Sequence, residues 1–325
     1  MQSTRHLVHP ELQTLLDQDL TLDTREENVA ALRENFKTLR PDPGTYLRDD
    51  VAIEERHVSG VNGAPDVRYV IFRPKDIDTP LPLYLHLHGG GHFGGDADST
   101  GVWNVPYAAE MPCVVASVDY RLAPETKAPG SVEDGYAVLE YLFDNALELR
   151  IDPSRIAVGG ESAGAHIAAS LALMARDKGK VELVHQQLIY PMLDDRTVTV
   201  GHELDYTGEF IWTRQNNRDA WSMLLDKEPG SANVTAYEAP ARAADLAGVA
   251  PAYIWVGQLD LFVEECMDYA ARLMAAGVPT ELHVEPGIMH GAELVVGDSP
   301  VCRRALEERF QRLKSALYPH TPLAD

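Results

Sequence analysis

Apolar residues return along the chain in two rhythms. Short β-rich runs, alternating or continuously apolar, stand at 51–58, 67–72, 83–87, 113–118, 155–158, 187–190, 252–256 and 281–284. Their length and bounding turn residues predict eight strands. Between and after them, apolar residues recur at helical spacing over 131–149, 163–175, 264–276 and 300–317. In the first of these helices Val132, Tyr136, Leu139, Leu142 and Phe143 form the inner side. Strands that alternate with helices imply an α/β fold: a mainly parallel, eight-stranded, doubly wound sheet with helices on both faces. Asn62-Gly63 between the first two strands marks that pair as antiparallel.

Two segments break the rhythm. In residues 1–45, Pro10 starts a helix with Leu12, Leu15 and Leu16 on one face. Thr24-x-x-Glu27 reads as a capping box ahead of Val29, Leu32, Phe36 and Leu39, and Pro41-Asp42-Pro43-Gly44 stops that second helix. Residues 194–230 lie between two strands and exceed what a crossover needs. They carry Phe210, Ile211, Trp212, Trp221, Met223, Leu224 and Leu225. Neither segment can bury its apolar side chains alone. The two are expected to pack together as a composite helical cap on a catalytic domain spanning 46–325.

Composition narrows the partners. At 325 residues the chain fits one large α/β domain with an appendage. A net charge of −22 argues against nucleic acid and anionic membrane surfaces, and no apolar run is long enough to span a bilayer. The first twenty residues lack the basic start and apolar stretch of a secretory signal, which predicts a cytoplasmic protein. Cys113, Cys266 and Cys302 are odd in number and far apart, which suggests idle thiols and neither a disulfide framework nor a metal knuckle.

The candidate chemistry sits at strand ends. Gly160-Glu161-Ser162-Ala163-Gly164 joins a strand to a helix and has the spacing of a nucleophile elbow, which projects a serine hydroxyl from the top of a sheet. His88-Gly89-Gly90-Gly91 follows an earlier strand directly. Its bare backbone can approach a ligand and, with the N–H of Ala163 after the serine, forms the HGGG type of oxyanion hole. A passive glycine turn is the competing reading of each motif, and the better one for HGGG standing alone; both on strand ends of one sheet are far more specific. On an α/β-hydrolase scaffold an acid and then a histidine must follow the serine. Asp260 ends the 252–256 strand run, and His290 lies in the loop after the last strand. His290 would take the proton from Ser162, and Asp260 would hold the imidazole tautomer. Glu264, one turn on, is the rival acid. His166 packs beside the serine, His283 lies within a strand, His185 and His202 follow no strand-end pattern, and Asp194 and Asp195 read as turn formers.

Together these residues, with Asp119-Tyr120-Arg121-Leu122-Ala123-Pro124-Glu125 and Tyr190-Pro191-Met192-Leu193-Asp194-Asp195-Arg196, resemble the hormone-sensitive-lipase-like (family IV) esterases of the α/β-hydrolase superfamily over roughly residues 50–315. The resemblance implies oxyanion donors at Gly90, Gly91 and Ala163, a cap built from the N-terminus and 194–230, and small carboxylic esters with short acyl chains as substrates. It requires no cofactor and no metal, and a homodimer is left open. Three positions depart from the family: Glu161 stands where Asp or Thr is frequent, Leu261 where Pro is, and Ala292 where an aromatic is. Glu161 is expected to point away from the serine and bond beneath the turn. Two rival functions remain: an amidase or peptidase on the same triad, and a binding-only receptor like the plant gibberellin receptors, which have lost the catalytic histidine.

Overall fold

The computed structural model describes residues 3–38, 40–199 and 204–319. Its eight strands are β1 (Val51–Val58), β2 (Val67–Pro74), β3 (Leu81–Leu87), β4 (Val114–Asp119), β5 (Ile151–Glu161), β6 (His185–Ile189), β7 (Ala252–Gly257) and β8 (Thr280–Glu285). They form one sheet in the order β1-β2-β4-β3-β5-β6-β7-β8. Only the β1–β2 and β2–β4 pairings are antiparallel. The interior strands are buried on both faces, and strand alternation divides their side chains between two layers. Val70, Phe72, Tyr84, Val115 and Ala157 pack beneath helix α2 (Gly101–Glu110) and the end of α8 (Pro300–Leu317). Tyr69, Ile71, Leu83, Leu85, Ile156 and Val158 face α3 (Gly130–Asp144), α4 (Ala163–Lys178) and α6 (Val263–Ala275).

Several local expectations are corrected. Helix α2 carries no sequence signal of its own, because Gly101, Asn104 and Pro106 interrupt any helical stripe. Helix α3 stops at Asp144, five residues early. The 10–17 stretch is a 3₁₀ helix, with Leu12 and Leu15 buried and Leu16 at the edge. Thr24 does not cap the next helix, α1 (Val29–Thr38): its hydroxyl donates to Asp219 Oδ2 at 2.8 Å and accepts from Asn216 Nδ2 at 3.0 Å. The capping box belongs instead to α5 (Arg214–Leu224), between Thr213 and Asn216. Leu39 and His202 lie outside the described residues.

The N-terminal segment and the 204–225 stretch meet over the carboxyl edge of the sheet. Thr4 donates from its backbone and its hydroxyl to Glu209 Oε2 at 2.5 and 2.6 Å. Asn216 Nδ2 donates to Leu22 O at 2.8 Å. His9 N donates to Gly287 O at 2.9 Å, in the loop ahead of His290. Trp212, Trp221, Met223, Leu224 and Leu225 are buried, as are Val29 and Leu32. Removing each such side chain from water stabilises the arrangement by about 1.5–3 kcal/mol.

An ion pair closes the neck of the 194–230 excursion. Asp195 is fully buried and receives Arg242 Nε at 2.7 Å, Arg242 Nη2 at 2.8 Å and Gly230 N at 2.5 Å. Asp194 receives its own turn's Arg196 N at 2.9 Å. Arg242→Met strands the Asp195 charge without its partner and is expected to cost about 3–5 kcal/mol. A urea-unfolding midpoint within error of the wild type would show that the pair does not hold this neck.

Candidate active site

Ser162 lies between β5 and α4 with φ 56° and ψ −115°, a backbone geometry that costs a non-glycine residue about 1–3 kcal/mol. Its neighbours hold it there: Ser162 N donates to Ile189 O at 2.9 Å, and its carbonyl accepts His166 N at 3.0 Å. Gly160 and Gly164 are required by β3. A Cβ at either would stand 2.0 or 1.9 Å from Leu87 O, so any side chain would drive the elbow off the sheet. Four of the seven non-glycine residues with positive φ among those described, His92, Ser162, Tyr190 and Ile211, gather here, as strained backbone does at working sites.

The three residues picked out by chain order come together. His290 Nε2 is 3.0 Å from Ser162 Oγ, and His290 Nδ1 is 2.7 Å from Asp260 Oδ2. The other Asp260 oxygen accepts Phe262 N at 2.9 Å, which fixes the carboxylate plane. All three side chains are buried. The imidazole is walled by Tyr190 and Phe262 edge to face, with ring centroids at 4.7 and 5.2 Å, and by Trp212 at 6.0 Å. Glu264 faces elsewhere and accepts Leu204 N at 3.2 Å. His185 bonds Gln187, and His283 pairs with Glu285 and Glu308 on β8 and α8.

The glycine loop turns back on itself after β3. Phe93 N and Gly94 N both donate to Gly90 O, at 3.2 and 2.9 Å. The amides of Gly90, Gly91 and Ala163 donate to nothing among the described residues. Gly91 has φ 62°, and a Cβ there would meet the Phe93 ring at 2.6 Å and the Trp212 indole at 2.7 Å. A groove of about 430 Å³ lies outside the site between residues 15–25 and 209–219. Ser162, Asp260 and His290 do not line it; Phe210 and Ile211 do, and the adjacent Trp212 reaches the imidazole.

Comparison with known proteins decides the family. Residues 84–294 match the α/β hydrolase fold family. The chain belongs to that family. It is 33% identical over 317 residues to the carboxylesterase NlhH of Mycobacterium tuberculosis, covering 96% of this chain and 97% of that protein. It superposes on a bacterial heroin esterase with a TM-score of 0.90 and 37% identity, covering 97% of this chain and 99% of that one. Esterase LipW from Mycobacterium marinum gives 0.85 and 30%, covering 97% and 98%. The hormone-sensitive-lipase-like resemblance therefore holds across the hydrolase, including its N-terminal segment.

Around the hydrolase site, Glu161 and His166 lie where the sequence placed them, and their partners had no sequence signal. Glu161 bonds beneath the turn, where His86 Nε2 on β3 lies 3.1 Å from its carboxylate. Asn104 of α2 stands 3.3 Å from the other ring nitrogen and donates to Thr100. His92 Nε2 meets His166 Nδ1 at 3.1 Å, and burial pushes the His166 imidazole down to about 3, so this pair is neutral. Tyr190 OH donates to Glu293 at 2.6 Å, and Glu293 in turn receives Arg309 at 2.6 Å. Glu161, His92 and His166 flank recognised residues in sequence, Tyr190 opens a recognised motif and Glu293 follows His290 by three residues, whereas Asn104 and Arg309 lie far from any of them. Among the described residues no helix is long and apolar enough to cross a membrane. The three cysteines are buried and unpaired, and burial raises their thiol pKa values.

Proposed function

We propose that this protein is a serine carboxylesterase for short-chain esters, working through an acyl-enzyme on Ser162. Its class, carboxylic ester hydrolase, follows from the family and its esterase members. The residue roles rest on one observation, the continuous hydrogen-bonded line from Ser162 Oγ through His290 to Asp260.

Ser162 Oγ attacks the ester carbonyl carbon while His290 Nε2 takes its proton. Asp260 steadies the imidazolium from Nδ1. The new oxyanion is received by the amides of Gly90, Gly91 and Ala163, each such donor being worth a factor of about 10²–10³. The tetrahedral centre collapses, the C–O bond to the alcohol breaks, and His290 returns the proton to the leaving oxygen. Water then repeats the sequence on the acyl-enzyme and releases the acid and free Ser162. No step calls on a cofactor or metal.

Residues 1–45 and 194–230 serve as the cap. Their contacts with each other and with the His290 loop support this, as does the burial of the triad beneath Trp212. An apolar cover excludes water and limits acyl length. A series of p-nitrophenyl esters, with p-nitroanilides as control, tests the reading. Butyrate-sized esters should be turned over faster than palmitate, and the anilide hardly at all. Equal cleavage of ester and anilide would favour an amidase, and no hydrolysis of any ester would leave a ligand-binding protein.

A further inference from the structure

The N-terminal helix does more than cover the site: it grips the glycine loop. Along one face of α1, Phe36 lies against Gly94, where a Cβ would stand 2.6 Å from its ring. Arg40, just beyond the helix, pairs with Asp96. The first residue of this i, i+3, i+7 face is Arg33. Its Nε donates to Phe93 O at 2.7 Å and its Nη2 to Ala123 O at 2.7 Å. Its outer edge takes the exposed Glu125 carboxylate in a two-pronged pair at 2.8 and 2.7 Å.

The connectivity gives this contact its consequence. Ala123 N donates to His92 O at 2.8 Å, so the 122–125 segment already lies along the glycine loop. The Arg33 fork adds to the circuit by joining one carbonyl from each segment, Phe93 O and Ala123 O. Without it, two partly buried acceptors lose their donor, and the loop gains a reason to turn them toward water. Phe93 and Gly94 cannot move alone. Both of their amides are bonded to Gly90 O, and Gly90 is packed so closely that a Cβ would stand 2.2 Å from Gly94 O. A shift at Phe93 is therefore carried to the Gly90 and Gly91 amides.

We propose that Arg33 is a positioning residue for the oxyanion hole, holding the Gly90 and Gly91 amides in their receiving orientation through Phe93 O and Ala123 O. This rests on the reading of those amides as oxyanion donors. A planar fork suits the task. It spans two carbonyls and an acid at once, which the compact ammonium of lysine does less well. Arg33 touches neither Ser162 nor His290, so its loss should leave ester binding intact and weaken only what forms as charge develops.

The experiment compares Arg33→Met, Arg33→Lys and Glu125→Gln in the full chain. Each is measured for kcat and KM on p-nitrophenyl butyrate, for inhibition by an alkyl trifluoromethyl ketone, and for thermal midpoint. The ketone adds to the serine and places an oxyanion in the hole. Arg33→Met should lower kcat about 10- to 100-fold, since small misplacements of reacting groups cost up to about that much. KM should stay within about twofold, and ketone affinity should fall by the same factor as kcat/KM. Arg33→Lys should fall between it and the wild type, and serves if the Met variant does not fold. Glu125→Gln loses the ion pair but keeps both carbonyl contacts, so its kcat should stay within about twofold of the wild type. Equal losses for Glu125→Gln and Arg33→Met would reduce Arg33 to an anchor for α1 and overturn the inference, as would an unchanged kcat in both Arg33 variants. If the wild type hydrolyses esters but shows no tight ketone adduct, the oxyanion reading itself fails and takes this inference with it.

Discussion

Ser162→Ala should lower kcat on short esters by a factor on the order of a million, by analogy with triad knockouts in other serine hydrolases. The size follows from what is lost. On the proposed mechanism the Ser162 hydroxyl forms the covalent acyl link, and its loss would leave the surrounding amides and walls without a nucleophile. The variant should still fold, because Ser162 is held by backbone bonds to Ile189 O and His166 N that alanine keeps. Pre-steady-state kinetics with p-nitrophenyl butyrate in excess reads this directly: no burst of nitrophenol should appear. A burst of undiminished amplitude in Ser162→Ala would place the nucleophile elsewhere.

His290→Ala should be nearly as damaging, and Asp260→Asn should cost on the order of 10⁴ in kcat, with little change in KM. The asparagine keeps the size of the side chain and can keep the Phe262 N contact, but its amide would favour the proton on the wrong imidazole nitrogen. The comparison variant is Glu264→Gln. Glu264 binds Leu204 N and lies away from the imidazole, so its substitution should leave kcat within about threefold. Parallel kcat measurements on the two variants decide between the acids. If Glu264→Gln is the worse of the two, the acid has been misassigned.

The sequence made some of this site legible because its constraints are local. The nucleophile turn needs glycines two residues either side of Ser162, and the observed clash with Leu87 O shows why. Asp260 and His290 each follow a strand at the carboxyl edge, so parallel strand topology alone brings distant positions to one place. Strands buried on both faces read as apolar runs and were placed to within a few residues. What stayed hidden depends on partners remote in sequence. Thr24 has the spacing of a cap, yet its hydroxyl is claimed by Asp219 on α5. Helix α2 is held by packing against the sheet despite its glycine and internal proline. Arg33 looks like any charged residue on a helix surface until the fold brings the carbonyls of Phe93 and Ala123 beneath it. Glu161 was expected to turn under the elbow, but nothing in the chain pointed to His86 as the group it would meet.

Ser162 is expected to carry the acyl group. Peptide mass spectrometry after labelling with an organophosphate fluoride measures it most directly. The phosphoryl adduct should fall on Ser162, at one equivalent per chain, and esterase activity should be lost in step with labelling. Ser131 and Ser170 are buried in α3 and α4 and, among the described residues, neither hydroxyl bonds a histidine, so neither should be modified. An adduct on either of them, or complete inactivation with Ser162 unmodified, would rule out Ser162 as the nucleophile.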